Sequence, residues 1–67
     1  MEIIKARYID IEGGAIPVTL WTTGATIGVS IDGVKWFELN KTEEVHAVIM
    51  FEILADHITD YYHYEAL

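Results

Sequence analysis

Three short glycine-containing segments divide the first forty residues of this chain into runs that are rich in β-branched side chains. These segments are Gly13-Gly14, Thr23-Gly24 and Asp32-Gly33. Such dipeptides close tight β-hairpins, because glycine readily adopts the positive φ angles that these turns require. No repeat, linker or low-complexity tract follows them. The pattern therefore predicts a single domain over residues 1–67 that begins as an antiparallel meander of three to four strands.

The turn positions also predict which side chains oppose one another, if each dipeptide is a two-residue turn. The predicted pairs are Ile31 with Val34, Val29 with Trp36, Leu20 with Ile27, Val18 with Val29, Ile16 with Ile31, Ile11 with Ile16 and Ile9 with Val18. Side chains alternate between the two faces of a strand, so all of these residues belong to one face. Independent turns thus predict one continuous apolar face.

The first strand departs from this pattern. If side chains alternate regularly backward from Ile9, Lys5 and Arg7 lie on the apolar face. The other face of the same strand would then carry Ile4, Ala6 and Tyr8. A β-bulge near Tyr8-Ile9 would exchange the two faces, and we prefer this interpretation. The alternative is a strand that overhangs the sheet and leaves its basic end in solvent.

A long helix is predicted for the C-terminal part, because residues 43–62 contain neither glycine nor proline. Asn40 and Glu43 match a capping box, and Thr42 is the alternative N-cap. The main apolar stripe follows helical spacing and comprises Ala47, Phe51, Leu54 and Ile58. One such stripe packs on one sheet face. The predicted fold is therefore α+β, with the order ββββα.

A second apolar stripe, Val45, Ile49 and Ile53, lies on the other side of the same helix. Trp21 and Phe37 have the sheet parity opposite to that of the core set. We expect these five side chains to contribute to an interface, because unpaired apolar surface on a small domain is usually covered by another protein. For the two aromatic residues there is an alternative, in which Phe37 and Leu39 turn inward as the strand runs into the helix and Trp21 is partly exposed.

The charge is strongly negative. Eleven carboxylates face only four Lys and Arg side chains, which gives a formal net charge of −7. This charge repels phosphate, so it argues against direct binding of nucleic acid or of an anionic membrane. The chain has no cysteine, and no apolar run is long enough to span a bilayer. The N-terminus lacks the basic segment and long apolar stretch of a signal peptide. We therefore expect a cytoplasmic protein.

No catalytic, cofactor or metal motif stands out, so we predict that the chain is not an enzyme and needs no cofactor. Asp56, Asp60 and His63 have helical i, i+4, i+7 spacing, which could hold a cation, but an ordinary solvated acidic face is the better interpretation. His57 beside Asp60 has no nucleophile to activate, because the chain's single serine, Ser30, lies on a strand without a nucleophile elbow.

In size, charge and lack of motifs, the chain is similar to small acidic inhibitors made by phages, including anti-CRISPR and anti-restriction proteins. The resemblance implies a non-enzymatic protein that occludes a basic, nucleic-acid-binding surface of a larger target in the host cytoplasm. The predicted acidic surface comprises Glu43, Glu44, Glu52, Asp56, Asp60 and Glu65. The alternative is a homo-oligomeric structural or accessory module, most simply a dimer, whose acidity serves only solubility.

Overall fold

A computed structural model of the chain shows a four-stranded antiparallel meander followed by one helix. The strands are β1 (Glu2–Ile11), β2 (Gly14–Thr22), β3 (Thr26–Ile31) and β4 (Val34–Asn40), and they lie side by side in chain order. A 3-10 turn (Lys41–Glu43) leads into helix α1 (Glu44–Glu65). The structure describes the backbone of residues 1–65 and the side chains of residues 1–58. The predicted ββββα order is confirmed.

The β3–β4 hairpin forms at the predicted place. Ile31 opposes Val34, and both turn residues have positive φ angles, 53° at Asp32 and 81° at Gly33. Two successive positive φ values define the turn type that matches the twist of a hairpin. The sequence prediction of this turn is confirmed.

A β-bulge changes the next part of this hairpin. The register shifts between Val29 and Ser30, so Val29 opposes Phe37 and not the predicted Trp36. The extra residue in β4 exchanges the faces of the strand, as bulges do. Phe37 and Leu39 consequently pack against the core, whereas Trp36 is 57% exposed. The inward alternative for Phe37 is therefore confirmed.

The other two hairpins have registers that differ from the prediction by two residues. Val18 opposes Ile31, and Ile9 opposes Ile16. The β2–β3 loop spans residues 23–25 and is closed by the Thr23 N–H donating to the Thr26 carbonyl at 3.0 Å, so it is longer than the predicted two-residue turn. A shift of two residues preserves the face of every side chain, and the predicted apolar face survives.

The predicted bulge at Tyr8-Ile9 is wrong. Pairing between β1 and β2 is regular from Lys5 onward, and the register shift lies between Ile3 and Lys5. Lys5 and Arg7 therefore share the face of Ile9, beneath the helix. Their charges are accommodated there by carboxylates of α1, described below, which removes the need to turn them outward.

Helix α1 covers this face and closes the core. Asn40 caps the first turn, because its Oδ1 accepts a hydrogen bond from the Thr42 N–H at 3.1 Å. The buried apolar side chains come from both layers and are Ile9, Ile16, Val18, Leu20, Ile27, Val29, Ile31, Ala47, Phe51, Ala55 and Ile58. Within α1, Phe51 is flanked by two alanines that let the helix approach the sheet closely.

The sheet face away from the helix holds Trp21, which is only 6% exposed. Its indole occupies the space above Gly28, where an added Cβ would lie 2.5 Å from the ring. The indole N–H donates to the Ser30 hydroxyl at 2.9 Å. Both expectations for Trp21, exposure at an interface and partial exposure, are therefore wrong, because glycine at position 28 creates a place for the ring on the sheet.

Candidate interaction surfaces

The outward side of α1 carries an apolar ridge, defined here as Val45, Ile49 and Ile53 and called the outward ridge. Their exposed fractions are 71%, 51% and 50%. Val48 and Met50 flank the ridge and are 36% and 41% exposed. The predicted second stripe thus lies in solvent, opposite the buried stripe. Three aligned β-branched side chains make a surface that favours covering by another protein.

An ion-pair cluster joins the first strand to the helix beside this ridge. Lys5 Nζ lies 2.6 Å from Glu52 Oε1, and Arg7 Nη1 lies 3.0 Å from Glu52 Oε2. Arg7 Nη2 lies 3.0 Å from Asp56 Oδ1. The hydrogen bond from Lys5 is the main cause that holds the pKa of Glu52 below its ordinary value of 4.5. We call these four residues the β1–α1 ion-pair cluster.

The two remaining cations are also paired within the chain. Lys41 Nζ lies 3.1 Å from Glu44 Oε1, and Lys35 Nζ lies 3.0 Å from Glu38 Oε1. Glu38 accepts a further hydrogen bond of 2.6 Å from the Thr26 hydroxyl, and this bond is the first cause that lowers its pKa. All four Lys and Arg side chains of the sequence therefore have carboxylate partners.

Several of the carboxylates predicted to form an acidic surface on α1 take part in these pairs. Glu44, Glu52 and Asp56 each contact a cation, and Glu43 contacts His46. The side chains of Asp60 and Glu65 lie outside the described residues. The described part of the helix is therefore less negative than its sequence suggests.

Three carboxylates without an ion pair among residues 1–58 lie at one end of the sheet. Asp10 and Glu12 border the β1–β2 turn, and Asp32 lies in the β3–β4 turn. Alternate turns of a meander lie at the same end, which brings these three residues to one edge. Within residues 1–58 none of the three forms an ion pair. We call them the acidic turn end.

Sequence reasoning did not identify the acidic turn end as a surface, although its residues are easily found. Asp10 and Glu12 precede one predicted turn, and Asp32 is part of another. The missing step was to note that turns one and three of a meander share an end. For the β1–α1 ion-pair cluster, the alternation of side chains along β1 already placed Lys5 and Arg7 on the core face. The predicted bulge at Tyr8-Ile9 moved them to the other face and so concealed the cluster.

The described residues offer little for catalysis or metal binding. No group of three or more His, Cys, Asp or Glu side chains within them could hold a metal ion. The Ser30 hydroxyl accepts the indole N–H of Trp21, and among the described side chains no histidine bonds to it. Asp60 and His63, named above as conceivable cation ligands, lie outside the described side chains. No helix in the described part of the chain is long and apolar enough to cross a membrane.

Comparison with known proteins adds no family to this description. No family model, no curated protein and no solved structure matches the chain. The distribution of charge and apolar surface is therefore the basis for the functional argument.

Proposed function

We propose that this chain is a non-enzymatic protein-binding protein that occludes a basic, nucleic-acid-binding surface of a larger protein. One observation carries the proposal. Every Lys and Arg side chain is paired within the chain, so the charge left free in the described part is negative. Complementary charge accelerates encounter with a basic surface and discriminates against other partners.

The acidic turn end supplies three carboxylates at one end of the sheet for such a contact. Asp10, Glu12 and Asp32 are all exposed and have no ion-pair partner among residues 1–58. A body with this charge also resembles, in type, the acidic inhibitors that phages direct against CRISPR and restriction systems. We extend the proposal to that class of target, in the host cytoplasm if the chain is phage-encoded.

The test is capture of a bacterial partner on the immobilised chain, followed by measurements with that purified partner. A triple variant, Asp10→Asn/Glu12→Gln/Asp32→Asn, neutralises the acidic turn end and keeps residues that tolerate these turn conformations. We expect binding to weaken by roughly tenfold or more in this variant, and to weaken further as salt screens the attraction. Glu2→Gln, which removes one charge at the opposite end of β1, is the control and should bind as the wild type does.

If the chain occludes the nucleic-acid-binding surface of its partner, the partner cannot bind both at once. The chain and a nucleic acid should exclude one another, so that added DNA or RNA releases the chain. A ternary complex of chain, partner and nucleic acid would contradict the proposal, as would an association that is insensitive to salt.

A second candidate function is a homo-oligomeric structural or accessory module whose acidity serves solubility. The outward ridge favours it, because all three of its side chains are at least half exposed. Apolar surface of this kind is unusual on a small monomer. Self-association would cover the ridge without any foreign target.

A further inference from the structure

We infer that the sheet face away from α1 docks arginine side chains of the basic partner, through the exposed rings of Tyr8 and Trp36. We call these two residues the outer aromatic pair. The inference rests on the proposed function and specifies which cation the partner presents. It uses a different surface of the chain from the outward ridge.

The outer aromatic pair stands on the two edge strands of the sheet. Tyr8 on β1 and Trp36 on β4 are 70% and 57% exposed. The edges are three strand spacings apart, about 14 Å. Tyr8 lies between Arg7 and Ile9, which face the helix, so its side chain is on the other face. Trp36 shares that outer face, because the next residue, Phe37, packs against the core.

Neither ring of the pair is used by a cation of the chain itself. All four Lys and Arg side chains are paired with carboxylates, and Lys5 lies over a different ring, 5.9 Å from the centroid of Phe51. Among residues 1–58, no hydrogen bond engages the Tyr8 hydroxyl or the Trp36 indole N–H. Within this part of the chain, a cation for these rings has to come from a partner.

Unpaired carboxylates beside Tyr8 indicate that the occupant is a cation. Asp10 follows Tyr8 by two residues, so it lies on the same face, about 7 Å along the strand. The Asp32 N–H donates at 2.8 Å to the carbonyl of Pro17, the residue opposite Tyr8. Neither carboxylate has an ion pair among residues 1–58. A purely apolar partner would bury these charges at a cost, whereas a cation neutralises them.

The charges beside Trp36 are already balanced and do not repel a cation. Lys35, on the same strand, lies 3.0 Å from Glu38 through Nζ and Oε1. Glu38 also accepts a hydrogen bond from the Thr26 hydroxyl. Trp36 therefore offers its ring alone, while Tyr8 offers a ring with carboxylates nearby.

A ring beside a carboxylate favours arginine over lysine. The guanidinium is planar and weakly hydrated, so it stacks on a ring while its N–H groups reach a carboxylate. The lysine ammonium is more strongly hydrated and gains less from the ring. Stacking on an exposed ring strengthens binding roughly twofold to fivefold. Arginine is also a common contact to bases and phosphates, so a nucleic-acid-binding surface presents it.

Two defined probes test the inference without the partner. They are an oligo-arginine peptide and an oligo-lysine peptide of equal length, each titrated into the purified chain by calorimetry. We expect the wild type to bind oligo-arginine roughly fivefold or more tightly than oligo-lysine. The double variant Tyr8→Leu/Trp36→Leu should bring the two affinities within about twofold of each other, mainly by weakening oligo-arginine. Circular dichroism should show that this variant keeps the fold, because both rings are exposed.

Two further variants separate the ring contact from general effects. Ile49→Ala is the matched control, because Ile49 is 51% exposed but lies on α1, and it should keep the preference for arginine. The triple variant of the acidic turn end should weaken both peptides, because it removes the attraction that they share. Added salt should also weaken both peptides and preserve the ratio of their affinities, because salt screens free charge more than it weakens stacking.

The possible outcomes separate this inference from the proposed function. Equal affinities of the two peptides for the wild type overturn the inference, while the proposed function stands, because a lysine-rich surface would satisfy it. A double variant that keeps the preference for arginine overturns the inference too. A double variant that weakens both peptides equally shows a general apolar contact and overturns the assignment to arginine. Binding of neither peptide at low salt overturns both proposals, because each requires a negative surface that attracts cations.

Discussion

The two sides of α1 are both apolar, yet only one is buried. The side that faces the sheet carries Ala47, Phe51 and Ala55, all 0% exposed, and the other side carries the outward ridge. The ridge has the larger share of bulky side chains. The bulk of the apolar side chains alone therefore does not identify the sheet-facing side of this helix. The alanines do, because small residues let the helix approach the sheet while Phe51 and Ile58 fill the space between the two layers.

The largest expected effect would come from truncating that ring. Phe51→Ala should cost about 3–5 kcal/mol of unfolding free energy, because it removes a fully buried side chain from the centre of the core. Ile49→Ala on the ridge should cost about 0.5 kcal/mol or less. Urea unfolding followed by circular dichroism, at concentrations where the chain is monomeric, measures both. Similar losses of unfolding free energy in the two variants would contradict the assignment of one side of the helix to the core and the other to the surface.

Gly28→Ala extends the comparison to the sheet face that has no helix. The new Cβ would lie 2.5 Å from the Trp21 ring and 2.7 Å from the Phe37 carbonyl oxygen. We expect a loss of about 1–3 kcal/mol, because the backbone oxygen and the packed ring must both move. In a Trp36→Phe background, the fluorescence of Trp21 should also shift to the red as the indole becomes exposed.

Ser30→Ala is the control for that experiment. It removes the hydrogen bond to the indole and leaves the space above Gly28 unchanged. Its cost should be about 0.5–1.5 kcal/mol. A Gly28→Ala protein as stable as the wild type, with unshifted fluorescence, would show that Trp21 does not depend on the glycine.

The smallest effect concerns the border between the two sides of α1, where Glu52 pairs with Lys5 and Arg7. The pKa of Glu52 is below its ordinary value of 4.5 in the folded chain, so the folded state binds the proton less tightly than the unfolded state. The pairs should therefore stabilise the fold above pH 4.5 and lose this contribution as the pH falls through the lowered pKa. The effect is small, because both partners are substantially exposed.

Urea midpoints between pH 7 and pH 3 measure this loss. Glu52→Gln should be slightly less stable than the wild type at pH 7 and should approach it at the acid end. Glu2→Gln, which removes a carboxylate without an ion pair among the described residues, should follow the wild-type curve. A constant gap between Glu52→Gln and the wild type across the range would contradict the assignment.

The sequence was sufficient to predict the order of elements and the residues of the core, because these depend on turn positions and on the parity of each strand. Loop length was not predictable to the residue, and two registers were wrong by two. Parity is unchanged by such an error, so Val18, Leu20 and Val29 were still placed on the core face. No residue in the sequence of β4 signals its bulge. The prediction therefore placed Trp36 on the core face and Phe37 on the other face, the reverse of what the structure shows.

The candidate surfaces were predictable to a different degree. The outward ridge follows from helical periodicity alone, and its exposure was predicted. The β1–α1 ion-pair cluster joins residues as many as 49 positions apart, Arg7 and Asp56, and it depends on where the helix lies over β1. Burial of Trp21 likewise depends on Gly28 lying directly opposite it on the neighbouring strand β3. Tertiary placement of this kind is not encoded in any local pattern.

The same long-range pairing has a consequence for the order of events during synthesis. Each hairpin of the meander joins neighbouring segments and can form soon after its second strand leaves the ribosome. Lys5 and Arg7, near the beginning of the chain, have to wait for Glu52 and Asp56. Until the helix emerges, the nascent sheet carries two solvated cations on the face that becomes its core. Docking of α1 both buries the apolar residues and neutralises this charge.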